Sequence, residues 1–179
     1  MAFNIHVLVD RSPEFPFYIL AVVYLFGTEM SVSIHVFSVL VLFMLTSLVV
    51  GLLLKTSFRT RRPSKRYNLP MLRYDFPSLH SMISMGTIAF VYYVNSVYAT
   101  LFIPVGLFYL YSRLKLKAHS LIGVLGGALI GVTLGFSFGV SMWEIHLPEA
   151  VEVLLSILLF CTPMATVVFR LKYSEKIED

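Results

Sequence analysis

Long apolar runs broken by short polar turns dominate the chain. They cover roughly 14–30, 34–54, 77–95, 98–111, 119–140 and 151–169, with Pro13 and Pro16 near the start of the first. A transmembrane helix needs about 20 mostly apolar residues. An isolated segment in lipid must satisfy its own backbone hydrogen bonds, so all six runs are predicted to be helices. The pattern therefore predicts an all-α, polytopic transmembrane bundle of about six spans, forming a single membrane domain over residues 1–179.

The third and fourth runs are short. Only 32 residues separate His80 from Arg113, and they must hold two crossings and a turn. At about 1.5 Å per residue each crossing covers some 20–24 Å, against about 30 Å of hydrocarbon. The ends of this pair are therefore expected to lie below the headgroup level or in a thinned membrane.

Composition agrees with the pattern. Hydrophobic residues make up 58% of the chain and charged residues 13%, about half the charged share of an average soluble domain. Lipid must absorb this apolar surface. The N-terminus carries Asp10, Arg11 and Glu14 ahead of its first apolar run, which does not read as a cleaved signal. Cys161, the one cysteine, permits no intramolecular disulfide and reads as packing.

In the fifth run Gly123, Gly127, Gly131, Gly135 and Gly139 recur every fourth residue. Such a stripe lets another helix approach closely. It reads as packing within the bundle, with a homodimer through Gly123, Gly127 and Gly131 as the alternative.

Charge fixes a direction. With six spans, the basic stretch 55–75, the turn 113–118 and both termini share one side, which then holds all 14 lysines and arginines. The opposite turns near 28–33, 95–97 and 141–150 hold only acids, such as Glu29, Glu144 and Glu149. The excess of positive charge predicts that the basic side is cytoplasmic. Without Lys55, Arg62 and Arg113 the remaining eleven basic residues keep the same bias. Basic residues placed in this way meet lipid headgroups, and no nucleic-acid partner is expected.

Three polar clusters converge on that side. The first is Lys55, then six residues, then Arg62-Pro63. The second is Pro77-Ser78-Leu79-His80-Ser81. The third is Ser112-Arg113, then five residues, then His119. Three cations at the membrane edge suit phosphate: arginine as a planar fork, lysine as a point charge. Ser78 offers a hydroxyl where a helix begins, and the first N–H groups of that helix, with its dipole, favour an anion. Of His80 and His119, one can attack phosphorus while the other protonates the leaving oxygen. No carboxylate cluster points to a metal, so no cofactor is expected. Taken singly, each cluster also fits ordinary topology signals, anionic-lipid contacts or helix caps. Order and spacing together favour the chemical reading.

The clusters resemble the signature of the type 2 phosphatidic acid phosphatase superfamily. That signature is Lys, six residues, Arg-Pro; then Pro-Ser-Gly-His; then Ser-Arg, five residues, His, three residues, Asp. Lys55 and Arg62-Pro63 match the first motif. Pro77, Ser78 and His80 match the second, with Leu79 in place of glycine. Ser112, Arg113 and His119 match the third, with Gly123 in place of the final aspartate. The resemblance covers roughly residues 50–130, with the catalytic motifs inside 55–123 of a four-helix catalytic core. It implies that His119 is the nucleophile and forms a phosphohistidine, that His80 is the general acid, and that Lys55, Arg62, Ser78, Arg113 and the N–H near Leu79 hold the phosphoryl oxygens. It also implies a metal-independent reaction on a lipid-linked phosphate or diphosphate, of polyprenyl or phosphatidate type. Two alternatives are a phosphotransferase using the same site and a degenerate member that binds phospholipid headgroups without turnover. A small structural membrane protein whose basic face meets anionic lipid is a third. The family aspartate orients the nucleophilic histidine, and Gly123 cannot. Asp75, the one acid between the first two motifs on the same side, is the expected replacement. Leu79 keeps its N–H, but its side chain is expected to crowd the phosphate cradle.

Overall fold

The computed structural model describes residues 30–63, 73–158 and 161. The predicted first span, 14–30, lies outside them except for its last residue, and the predicted sixth is described only to 158 and at 161. Helix α1 is Met30–Phe58, α2 is Leu79–Val94, α3 is Ser96–Lys115 and α4 is Leu121–Val140, followed by a 3₁₀ turn over Met142–Glu144. Residues 149–158 are helical as well and form α5. Among the described residues the only strand-like pairing is an isolated bridge between Arg61 and Tyr74. The all-helical expectation holds. Three helices, α1 from Ile34, α3 and α4, are long and apolar enough to cross a membrane, and α2 is a shorter apolar helix.

The chain forms two compact units, one of residues 1–41 with 147–179 and one of residues 42–146. In the first, His35 Nδ1 lies 2.6 Å from Glu152 Oε1, and the Ser38 hydroxyl donates to the Ile34 carbonyl at 2.8 Å. Val36, Phe37, Val39 and Leu155 are buried there.

The second unit holds all three polar clusters. Its centre is the pair α2 and α4. The glycine stripe is what brings them together: Gly123, Gly127, Gly131, Gly135 and Gly139 are the buried face of α4, with Val124. A methyl group at Gly131 would overlap the Met82 carbonyl oxygen, and one at Gly135 the Gly86 carbonyl oxygen. The two backbones are thus in contact, as small-residue faces allow. The stripe serves packing inside the unit. Within the unit α2 covers the stripe. The outer face of α4 (Leu121, Ile122, Leu125, Leu129, Phe136) is exposed and apolar, as a lipid-facing surface must be. Phe43 of α1 fills the remaining space, 6.5 Å from Phe90 and 6.1 Å from Phe138 between ring centres.

A single residue turns the chain between α2 and α3. Asn95 caps both helices: its N–H donates to the Val91 carbonyl at 2.7 Å, and its side-chain oxygen accepts from the N–H groups of Val97 and Tyr98 at 3.1 Å each. An asparagine at an N-cap satisfies donors that otherwise lack partners. Of the two helices Asn95 joins, only α3 departs from its expected run. Helix α2 has 16 residues, about 24 Å of rise, and is short as expected. Helix α3 has 20 residues and runs to Lys115 rather than ending near Tyr111. The apolar window stops early because Ser112 and Arg113 are polar, yet both are fully buried on the inner face, so the helix continues through them. Lys55 likewise lies in the last turn of α1, 1% exposed, not in the polar segment that follows.

Candidate active site

The ends of α1, α2, α3 and α4 meet at one place. Helix α1 delivers Lys55, α2 begins just after Ser78, α3 ends with Arg113, and α4 begins just after His119. Arg62 meets the ring of His119, and the Ser78 N–H donates to the Gly123 carbonyl at 2.9 Å. The three motifs, distant in sequence, therefore form one site.

His119 is held from both ring nitrogens. Its Nδ1 is 2.8 Å from Asp75 Oδ1, and its Nε2 meets the Arg62 guanidinium. A guanidinium only donates, so Nε2 carries the lone pair and Nδ1 carries the proton that goes to Asp75. This tautomer leaves the lone pair on Nε2, facing Arg62. The turn beneath it is also fixed. The N–H groups of Ala118 and His119 donate to the Arg113 carbonyl at 3.0 and 3.4 Å, and Lys117 takes a left-handed conformation, φ 51°, to close the turn. That tight link sets the five-residue spacing between Arg113 and His119.

Asp75 is nearly buried and saturated with donors. Besides His119, the Ser120 N–H donates to Oδ1 at 3.0 Å, and the Ser120 hydroxyl donates to Oδ2. Burial by itself would raise the Asp75 carboxyl, but the hydrogen bonds from His119 and Ser120 outweigh it and hold the group below the usual carboxylate range. Burial pushes the His119 imidazole down to about 4, against the upward pull of the Asp75 hydrogen bond and with further depression from Arg62 and Lys55. The imidazole is thus neutral near pH 7.

Gly123 explains how Asp75 fits. A side chain at 123 would begin 2.9 Å from both Asp75 carboxylate oxygens and 3.0 Å from its Cγ. The carboxylate of Asp75 occupies the volume into which an aspartate at 123 would project.

Ser78 caps α2 and is fully buried. Its oxygen accepts from the Ser81 N–H at 3.4 Å and from the Ser81 hydroxyl at 3.0 Å, which leaves its own proton to donate. Its N–H donates to the Gly123 carbonyl at 2.9 Å, a direct backbone tie between the second and third motifs. The N–H groups of Leu79 and His80 open the helix and have no intrahelical acceptor. The Leu79 side chain does not crowd them. It turns to α1, where its Cδ2 fills the room a side chain at Gly51 would take. Nε2 of His80 is buried with no hydrogen-bond partner among the described residues, an orphan that suits a group meeting a ligand. Arg113 is fully buried. Lys55 Nζ donates to the carbonyls of Tyr74 at 2.8 Å and Asp75 at 3.2 Å.

Lys55, Arg62, Asp75, Ser78, Leu79, His80, Arg113 and His119, singled out from the sequence, thus lie at this one end of the helices. Ser120, Thr60 and Gly51 escaped that reading. Ser120 had a signal: a serine three residues ahead of Gly123 is a helix N-cap, and its oxygen accepts the Gly123 N–H at 3.1 Å. Thr60 accepts the Asp75 N–H with its carbonyl at 3.0 Å and the Phe76 N–H with its hydroxyl at 2.9 Å, contacts that no local pattern announces. Among the described residues no three His, Cys, Asp or Glu side chains gather as a metal site.

No curated protein and no solved structure matches the chain. The sequence model of the PAP2 superfamily matches residues 35–146, more than half the chain and all three clusters. Its members are generally phosphatases acting on phosphate esters, often lipid phosphates. With membrane-length helices and the motif residues gathered at one end of them, the chain belongs to the PAP2 superfamily.

Proposed function

We propose that this protein dephosphorylates a lipid-linked phosphate or diphosphate, of polyprenyl or phosphatidate type, through a phosphohistidine on His119. One observation carries the reading: a neutral imidazole, its Nδ1–H engaged by Asp75 and its Nε2 turned to the cation Arg62. A phosphoryl group entering there takes Arg62 away from Nε2 and frees the lone pair. Arg62, Arg113, the Ser78 hydroxyl and the N–H of Leu79 then hold the phosphoryl oxygens, and fixed donors of this kind stabilise the charge that spreads over them in transfer. Nε2 bonds to phosphorus as the bond to the leaving oxygen breaks. His80 gives that oxygen a proton. In the second half water attacks the phosphohistidine, His80 takes a proton from it, and phosphate leaves with His119 neutral again. Asp75 keeps the ring in the right tautomer and offsets the positive charge on it while it carries phosphate.

Purified protein in detergent with EDTA is expected to release phosphate from polyprenyl diphosphate, polyprenyl phosphate or phosphatidate, and His119→Ala is expected to abolish release. Release that EDTA stops, or that survives His119→Ala, defeats the mechanism. Transfer to an added alcohol in place of free phosphate would move the reading to a phosphotransferase.

The charge distribution supports a cytoplasmic site in the cell membrane. A single cysteine at exposed Arg59, in a chain with Cys161 replaced, is expected to react with an impermeant thiol reagent only once the membrane is opened. Labelling in intact cells would reverse the orientation.

A further inference from the structure

A carboxylate at position 123 would be held by helix α4 itself. Asp75 has no such support. It lies between the isolated bridge at Tyr74 and the start of α2, outside any helix, yet its oxygens must meet His119 Nδ1 at hydrogen-bond distance. Something has to fix its backbone. Two groups do so. Thr60 takes the N–H groups of Asp75 and Phe76. Lys55 takes the carbonyls of Tyr74 and Asp75. Lys55 is the more constraining, because it is 1% exposed, issues from the last turn of α1 and binds two successive carbonyls with one ammonium. A lysine has three donors. Two go to the main chain here, so at most one is left for an oxygen of a ligand.

We propose that Lys55 is a positioning residue in this chain: it anchors the segment Tyr74–Asp75 to α1 and so sets the Asp75 carboxylate on His119. This rests on the phosphohistidine reading for its catalytic meaning, but not for its geometry. Relocating the acid from α4 to a loop creates the need for an anchor, and Lys55 meets it before any substrate arrives. Removing the ammonium leaves two carbonyls without their donor, one of them belonging to a nearly buried residue, and lets the segment drift. The imidazole then loses its partner although neither His119 nor Asp75 has changed.

The test reads the His119 Nδ1 proton in substrate-free protein by NMR in detergent micelles. A proton shared with a buried carboxylate resonates at low field, and Asp75→Asn identifies it by removing it. Lys55→Met is expected to abolish the resonance while helix content stays native. Lys55→Gln, whose shorter side chain keeps an uncharged amide donor, is expected to weaken it in the same direction. An unchanged resonance in either folded variant overturns the proposal, since a lysine that only grips phosphate does nothing before substrate binds. Phosphate release provides a second arm. Lys55→Met is expected to cost at least about tenfold less in an Asp75→Asn background than in the native one, because residues acting through one another are not additive. Equal fold losses in both backgrounds also overturn it. If the native protein releases no phosphate from any lipid, the phosphatase reading fails, and the resonance still decides the role of Lys55.

Discussion

Asp75→Asn is expected to lower the rate of phosphate release by about 10³- to 10⁴-fold, the scale set by the same change beside a catalytic histidine in serine proteases. The loss falls on turnover rather than on substrate affinity, because Asp75 faces the imidazole and not the phosphoryl oxygens. An amide keeps the size of the group but brings an N–H₂ where only acceptance works: His119 Nδ1, the Ser120 N–H and the Ser120 hydroxyl all donate to the carboxylate. The pH dependence moves with it. Asp75 raises the His119 imidazole against the depression that burial causes, so in Asp75→Asn the ring protonates only below about 4, its present value. The variant therefore has a neutral histidine over a wider range of pH and is still slow, which separates orientation from protonation. The reciprocal change is more telling. Gly123→Asp alone places a second carboxylate against the first and is expected to inactivate the protein, while Asp75→Ala with Gly123→Asp is expected to recover activity over Asp75→Ala alone. A double variant no faster than Asp75→Ala would mean that the two positions are not exchangeable.

Gly135→Ala is expected to be among the most destabilising single changes in the chain, at or beyond the top of the range of about 1–3 kcal/mol for overpacking. The added methyl overlaps the carbonyl oxygen of Gly86, which is backbone in the middle of a helix and has nowhere to move. Alanine is the better helix former, so the loss arises from packing alone. Gly126→Ala is the control. There the methyl meets the edge of the Phe76 ring, a side chain that can swing aside. The midpoint of unfolding in an SDS titration is expected to fall steeply for Gly135→Ala and little for Gly126→Ala. Equal shifts for the two would show that α2 and α4 are held by something other than backbone contact.

The parts of the site that lie on helices could be read from the sequence, because a helix converts spacing into position. Ser78 and His80 at the mouth of α2, and Arg113 and His119 across one tight turn, follow from their separations alone. Features set by contacts across the bundle could not be read. The direction of Leu79 depends on a glycine 28 residues earlier in α1. The true end of α3 was hidden because an arginine reads as the end of a span, whereas a fully buried one extends the helix. The engagement of Asp75 was legible only as a candidate, by its side of the membrane. The ties to Lys55 and Thr60 that bring it to His119 are main-chain contacts, and composition does not encode them.

The glycine stripe has a consequence for precision. A methyl at Gly127 would stand 2.5 Å from the Ser78 carbonyl oxygen, so the stripe begins where the phosphate cradle does. Successive glycines receive successive turns of α2, and the ladder acts as a ruler between the helix that opens at the cradle and the helix that follows the nucleophile. A slip of one residue along it would move the two apart by about 1.5 Å, and a misplacement near 1 Å is enough to cost about 100-fold in rate. On the proposed chemistry, the alignment of nucleophile and phosphorus is thus graduated along about 24 Å of α4, by positions that carry no side chain.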